Sequence, residues 1–375
     1  MNAYIKKPFI VMAFIFFMIP FPVAGFSGEP VRLGVAVVKT GELASYGISG
    51  LRGVELAVQG INSRGGIICR QIELFVEDDL CLPQHALIVA SKLLVHHVHA
   101  VIGHICSGAT FAALDTYKNA GIITISPSAT NPDLTQSGDY PNFFRTIASD
   151  DTQALVLVEF VVNQLKLKRI AVIHDKSIYG KGLAEYVKDI LDKTDKRKLV
   201  LFEGASTGAI NYTQFVQKIK RARADAVIYG GYHPGASKIV SQMRLKKMEI
   251  VFISGDGIKD ESFIISAGKK AEGVYATAPR DTSGIKMAVE ATKAHRARYD
   301  EEPGPFFLNA YAAVLALAHA IETAGTLDYD KVSKALKSES VETPIGDIGF
   351  DEHGDATGTG FSVFQVQNGV FVEIK

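Results

Sequence analysis

Residues 101–110 read VIGHICSGAT. An apolar run with the character of a buried strand stops abruptly at Cys-Ser-Gly-Ala-Thr. The helix-like FAALDTYKNAG (111–121) follows at once. A strand that feeds directly into a helix is the building unit of an α/β sheet. A hydroxyl at that turn stands where the first N–H groups of a helix have no partner within the helix.

The same unit recurs on both sides of this stretch. Upstream, VRLGVAVV (31–38) and QIELFVEDD (71–79) read as strands. GISGLRGVELAVQGINSRG (47–65) and PQHALIVASKLLVHH (83–97) read as helices. Downstream the rhythm pauses after Thr130 and resumes with a helix over 150–166. Strands then read as RIAVIHD (169–175), KLVLFEG (198–204), DAVIYGG (225–231) and EIVFISGD (249–256), with helical patterns between them. Short Val/Ile/Leu runs without alternation suit strands covered on both faces, as parallel sheets require. The expected fold class is therefore α/β, in two successive units of similar rhythm. FFRTIASDD (143–151) and EGVYATAPRD (272–281) are candidate crossings between them. Two long helices are expected after the second crossing. The Gly-rich end from Ile345 reads as β-hairpins.

The first residues bear on the compartment. Lys6 and Lys7 precede an apolar stretch from Pro8 to Phe21, and Val23-Ala24-Gly25 fits a small-x-small cleavage site. The apolar core is about 14 residues and holds Pro20 and Pro22, whereas a spanning helix needs roughly 20. A signal peptide over 1–25, cleaved near Gly25–Phe26, and an exported mature chain are expected. No other stretch reads as long and apolar enough to span a bilayer. Lys plus Arg equals Asp plus Glu at 40 each, so no basic field argues for nucleic acid. Cys69, Cys81 and Cys106 are the three cysteines, so in an oxidising compartment two can pair and one is left over.

Catalytic signals are poor. GASTG (204–208) matches G-x-S-x-G by letter, but AINY (209–212) intervenes before the next helix, and a surface turn is expected. No G-x-G-x-x-G follows a strand, and neither H-E-x-x-H nor C-x-x-C occurs, so no cofactor or metal is expected. HHVH (96–99) reads as a solvated helix end, where imidazolium is electrostatically favoured. The strand ends are more informative, because ligands of open α/β sheets bind beyond the carboxyl ends of strands. One unit offers Tyr46, Ser107 and the SPSAT stretch there; the other offers Tyr179, Tyr232 and Asp256. Ser107 at a helix start supplies an N–H and an Oγ for a carboxylate. Asp256 would face an ammonium group. Tyr46, Tyr179 and Phe306 would surround an apolar side chain. Each residue alone is ordinary loop chemistry; together they suit an α-amino acid.

At this point VIGHICS (101–107), ISPSAT (125–130), AVIHDKSIYGKGLA (171–184) and IYGGYHPG (228–235) carry a resemblance. The chain resembles the periplasmic leucine/isoleucine/valine-binding proteins, the substrate-binding components of branched-chain amino-acid ABC transporters, from Val31 to the last strands. The resemblance implies a type I periplasmic binding protein: two lobes, each a mostly parallel sheet flanked by helices, joined by three hinge crossings. The implied boundaries are 26–147 plus 280–361 for lobe 1 and 148–279 plus 362–375 for lobe 2. It implies that Ser107 and Thr130 hold the ligand carboxylate. Thr130 Oγ1 and the Ser128 carbonyl would share the ammonium with an acid. Tyr179 and Tyr232 would close over the ligand, with Tyr46 and Phe306 against its side chain. It further implies a Cys81–Cys106 disulfide; with about 25 residues enclosed, chain entropy makes this worth about 3–3.5 kcal/mol. Cys69 is extra and is expected to be a half-buried free thiol.

Two positions depart from the family pattern. The acid is Asp256 rather than Glu, one methylene shorter, and Ser128 stands where Ala is usual. The expected partners are a branched-chain amino acid and a permease in the inner membrane, with the chain a periplasmic monomer that binds no nucleic acid and is not an enzyme. Two alternatives belong to other classes. One is a ligand sensor of the same fold for a small amide or amino acid. The other is a hydrolase built on Ser107 and His104, for which no acid orienting His104 is evident.

Overall fold

The computed structural model describes residues 28–195, 198–206, 208–209 and 211–374. The expected signal peptide and its cleavage point lie outside the described residues, as does Thr207 of the GASTG stretch.

The first half of the chain alternates strand and helix: β1 (Val31–Val37), α1 (Ala44–Ser63), β2 (Ile72–Asp78), α2 (Pro83–Val95), β3 (Ala100–Gly103), α3 (Ser107–Asn119), β4 (Ile123–Ser126), the single turn α4 (Asp133–Gln136) and β5 (Phe143–Arg145). Its five strands are all parallel, in the order β2-β1-β3-β4-β5. β3 and β4 are buried at every residue, which is why their sequences lack alternation.

The second sheet is built the same way from α5 (Asp150–Val158), β6 (Ile170–His174), α6 (Ile178–Asp195), β7 (Leu199–Gly204), α7 (Thr213–Arg221), β8 (Ala226–Gly230), α8 (His233–Leu245), β9 (Val251–Ser254), α9 (Glu261–Ala267) and β10 (Tyr275–Pro279). The chain then returns to the first sheet through α10 (Lys286–Tyr299), α11 (Phe307–Ala324), α12 (Tyr329–Ser338) and the hairpin β11 (Val341–Thr343)–β12 (Gly346–Ile348). It ends in the second sheet with the hairpin β13 (Phe361–Gln367)–β14 (Val370–Glu373). That sheet runs β14-β13-β10-β9-β8-β6-β7, parallel except where β13 pairs antiparallel with β10 and β14. The backbone thus passes between the two sheets three times: after β5, after β10 and before β13.

The two sheets bury separate cores, one under α1, α2, α3 and α11, the other under the helices between α5 and α9. α11 departs from the expectation that no further stretch could span a bilayer. By length and composition it qualifies. It is a core helix instead, with Ala310, Ala313, Val314 and Leu317 buried in the first lobe. Its long Ala-rich face allows a close crossing over α1: a Cβ at Gly53 would stand 2.2 Å from the Phe307 carbonyl oxygen, so only glycine fits there. α12 is not among the elements expected from the sequence. Cys69 is a free thiol but exposed rather than half-buried, because it lies in the tight turn 67–70 closed by paired Ile67–Arg70 backbone bonds.

In each sheet the strand order reverses beside the first strand of the unit, between β1 and β3 and between β6 and β8. Loops leaving the carboxyl ends there diverge to opposite faces and leave a crevice. Tyr46, Ser107, Tyr179 and Tyr232 follow these four strands, and Asp256 follows β9, the neighbour of β8.

Candidate functional site

The β3–α3 turn is fixed from beneath. Asp79 is fully buried, accepts the Cys81 N–H at 2.7 Å and lies 2.5 Å from His104 Nδ1, while His104 Nε2 lies 3.1 Å from the Tyr117 hydroxyl. His104 therefore does have an orienting acid, contrary to the reading of the sequence alone. Its second nitrogen is directed at Tyr117, so the pairing is structural. Gly103, at φ +130°, lets the turn lie against β1, where a Cβ would stand 2.1 Å from the Ala36 carbonyl oxygen. Cys81 and Cys106 are disulfide-bonded, with Cα atoms 5.5 Å apart, and join the β2–α2 loop to the residue that precedes α3.

Ser107 is the first residue of α3 and 2% exposed. The N–H groups of this first turn have no intrahelical acceptor. Thr110, by contrast, returns its Oγ1 to the Cys106 carbonyl at 3.0 Å, as a hydroxyl inside a helix does. The neighbouring 126–131 loop is held by three ties. Ser126 Oγ donates to the His104 carbonyl at 2.6 Å, and Ser128 Oγ donates to the Ile105 carbonyl at 2.8 Å. Ser107 Oγ accepts the Asn131 N–H at 3.4 Å. Ser128 thus uses its side chain as a strut between the two loops. Buried Arg145 supports the far side through the Ala129 and Asn131 carbonyls at 3.3 and 2.8 Å, and pairs with Asp355.

From the second sheet, the Asp256 carboxylate accepts hydrogen bonds on Oδ1 from the Tyr179 hydroxyl at 2.8 Å and from Gln153 Nε2 at 3.1 Å. Tyr179 in turn accepts the Gly257 N–H at 3.1 Å. Burial drives the Asp256 pKa up to about 6, and the two hydrogen bonds only partly offset this. Tyr46 reaches across from α1 and donates to the Gly257 carbonyl at 2.8 Å. Its ring lies 5.7 Å from Phe306 and 6.5 Å from Tyr232, which lies 5.1 Å from Tyr179. Phe306 occupies the left-handed region at φ +63°, an unusual conformation for a bulky residue, just before α11. The structure thus brings Tyr46, Tyr179, Tyr232 and Phe306 into one aromatic group beside Asp256.

Sequence reasoning missed Asp150, Gln153 and His233. Asp150 opens α5 immediately after the first crossing and is fully buried, with its N–H on the Thr130 carbonyl at 2.9 Å. Burial pushes its pKa well up, and the Asp256 charge adds to this. The Thr130 hydroxyl is close enough to moderate the shift, yet neither it nor the Asp150 oxygens make a formed hydrogen bond. Gln153 Oε1 is likewise buried and unpartnered. The acidic pair Asp150-Asp151 reads in sequence as ordinary helix N-terminal chemistry. No local signal says that Asp150 faces Asp256. His233 is 3% exposed, lies edge-on to Tyr46 at 5.5 Å, and has both ring nitrogens unpartnered.

The remaining histidines lie elsewhere. His96 caps the end of α2 and stacks on Phe75 at 4.6 Å, while His99 Nδ1 accepts the Arg32 N–H at 3.0 Å. No cluster of three or more His, Cys, Asp or Glu side chains suited to a metal occurs among the described residues.

The periplasmic binding protein family matches residues 30–370. The leucine-, isoleucine-, valine-, threonine- and alanine-binding protein of Pseudomonas aeruginosa is 35% identical, over 92% of this chain and 93% of that protein. The Leu/Ile/Val-binding protein of Escherichia coli is 34% identical, over 92% of this chain and 94% of that protein. Among solved structures, LivJ of Streptococcus pneumoniae, a branched-chain amino acid transporter substrate-binding protein in complex with isoleucine, superposes with a TM-score of 0.82 at 29% identity. The superposition covers 92% of this chain and all of that one. The leucine-binding protein LivK of Thermotoga maritima, at 23% identity, shares the fold with a TM-score of 0.86 over 92% of this chain and 98% of that one. With its two doubly wound sheets, three crossings and a family match along almost its whole length, the chain belongs to the periplasmic binding protein family, in the group of the Leu/Ile/Val-binding proteins.

Proposed function

We propose that the protein captures a branched-chain amino acid between its two lobes and delivers it to an ABC transporter permease in the inner membrane. One observation carries this reading: a buried group of acceptors, Asp256, Asp150, Thr130 Oγ1 and Gln153 Oε1, gathers where α5 meets the 126–131 loop. Acceptors of this kind suit a donor with three N–H bonds. An ammonium between the two carboxyls would let both ionise, since opposite charge lowers a raised carboxyl pKa. The α3 N-terminus with Ser107 suits the carboxylate on the same carbon.

In this reading Ser107 and Thr130 hold the carboxylate. Thr130 Oγ1 and the Ser128 carbonyl share the ammonium with Asp256, and Asp150 joins them. Tyr179 and Tyr232 close from the second lobe, and Tyr46 and Phe306 pack on the side chain. Lobe 1 comprises residues 26–147 and 280–361, and lobe 2 residues 148–279 and 362–375. The sheet memberships of β5 and β10 support these limits, while β13 joins the second sheet one residue earlier, at Phe361, which pairs with Pro279. Ligand meets lobe 1 first, and rotation about the three crossings buries it. The protein works as a monomer in the periplasm after removal of residues 1–25, and performs no chemistry on its ligand.

Calorimetry with all twenty amino acids on ligand-stripped protein tests this. Leucine, isoleucine and valine are expected to bind with modest discrimination, because one methylene is worth only ~1–3 kcal/mol. Tight binding of an acidic amino acid together with no binding of leucine overturns it.

A further inference from the structure

The two lobes also meet where α3 and α6 begin. Asn131, at the end of the 126–131 loop, is buried, and its Nδ2 donates to the Ile178 carbonyl at 3.2 Å. Ile178 opens α6 and precedes Tyr179, so this bond runs from the loop beside Ser107 to the second lobe. A carbonyl oxygen has two lone pairs, so accepting the bond leaves the α6 ladder intact. The Ile178 side chain lies over the start of α3: a Cβ at Gly108 would stand 3.7 Å from its Cδ1.

The rest of Asn131 is tied within the first lobe. Its Oδ1 accepts the Asp133 N–H at 3.0 Å, its N–H lies 3.4 Å from Ser107 Oγ, and its carbonyl accepts Arg145 Nη1 at 2.8 Å. A donor on one side of the amide and an acceptor on the other fix its orientation, oxygen to its own turn and nitrogen across the cleft. Opposite that nitrogen stands Gly182, four residues after Ile178 and on the same face of α6. A Cβ there would stand 2.6 Å from Asn131 Nδ2 and 3.6 Å from its Cγ; its own helix backbone aside, it would meet nothing else within 4 Å. Glycine inside a helix is less favourable than alanine. The room at residue 182 therefore serves the amide of the other lobe and not the packing of α6.

We propose that Asn131 and Gly182 form a latch that holds the lobes together over the ligand and so sets how fast it is released. Both are positioning residues, acting through closure and not through contact with the ligand. The proposal rests on capture between the lobes as described above. Ser107 links the two events, since the hydroxyl that suits the ligand carboxylate also accepts the Asn131 N–H. The Asn131–Ile178 bond forms only when the lobes are already together, so it slows opening and leaves the first encounter with lobe 1 unchanged.

Stopped-flow tyrosine fluorescence with leucine on ligand-stripped protein tests it, on the wild type, Gly182→Ala, Asn131→Ser and the double variant. Asn131→Ser keeps an acceptor for the Asp133 N–H and removes the amide. In each single variant leucine release is expected to speed at least about threefold, the size of one neutral hydrogen bond, with association within about twofold. The ligand-free melting temperature of Gly182→Ala should equal or exceed that of the wild type, because alanine favours the helix and finds an obstacle only across the cleft. The double variant should release leucine no faster than Asn131→Ser alone, because the amide in the way is gone. Release from Gly182→Ala less than threefold faster than wild type overturns the latch, as does a lower ligand-free melting temperature of that variant. Additive effects in the double variant, or a loss that falls on association, also overturn it. All four results leave capture itself intact. If the wild type takes up no leucine, the capture reading falls first and the latch with it.

Discussion

The Tyr179 hydroxyl donates to Asp256 Oδ1 at 2.8 Å and at the same time accepts the Gly257 N–H at 3.1 Å. One phenol thus orients both the acid and the backbone that carries it. Because Tyr46 donates to the Gly257 carbonyl from the other lobe, the two peptide groups that flank the Gly257 Cα are held from opposite sides of the cleft. The burial of Tyr179 pushes its pKa well above that of a free phenol, so it stays a donor throughout the working range.

Tyr179→Phe removes this donor and leaves Asp256 with Gln153 alone. Hydrogen bonds to charged groups are worth about 1.5–3 kcal/mol, so leucine affinity should fall roughly 10- to 150-fold. Calorimetry on stripped protein checks this. A change of less than twofold would mean that Asp256 is positioned by something else.

Binding should weaken in mild acid. The Asp256 pKa is raised to about 6, so the carboxyl takes up a proton well above the usual carboxylate range and then no longer attracts an ammonium. Below pH 6 each unit is expected to cost about tenfold in affinity. A titration of leucine affinity from pH 7.5 to 5, flat throughout, would contradict this assignment.

For folding of the ligand-free protein the same shift has its own sign. A carboxyl whose folded pKa lies above its unfolded value stabilises the fold at low pH, and that contribution is lost as pH rises through about 6. Asp256→Asn, which cannot ionise, should therefore melt higher than wild type at pH 7 when ligand-free, with the gap closing near pH 4. It should also lose leucine binding. Scanning calorimetry at the two pH values measures the difference.

Ser107→Ala combined with Thr130→Ala should weaken leucine binding by two orders of magnitude or more, on about 1.5–3 kcal/mol for each bond to a charged group. Replacing His96, His97 and His99 together should change it less than twofold, because they cluster at the remote end of α2. Comparable effects from the two sets would remove the α3 N-terminus from the site.

Reducing the Cys81–Cys106 bridge, which spans 25 residues, should cost about 3 kcal/mol of stability by the chain-entropy estimate. A lower melting temperature in reductant, with leucine affinity within a few-fold, is expected. The turn it anchors is also held by Asp79 and His104.

The sequence alone determined the fold class. Short Val/Ile runs closed by a hydroxyl or glycine and followed by a helical pattern are local signals, and β3–α3 shows them within a dozen residues. It also pointed to the strand ends where the candidate site residues stand, because strand-end loops are local too. Only the tertiary structure decided what faces what. Tyr46 and Gly257 are 211 positions apart and Gln153 and Asp256 are 103, and nothing in a local pattern encodes either pairing. Asp150 looks like any acid at a helix start until the crossing before it places its carboxyl in the same dry space as Asp256. His104 looks unsupported until β2 delivers Asp79 to it. Burial and charge proximity, the quantities that set these pKa values and leave these acceptors unpartnered, arise only when the two sheets come together.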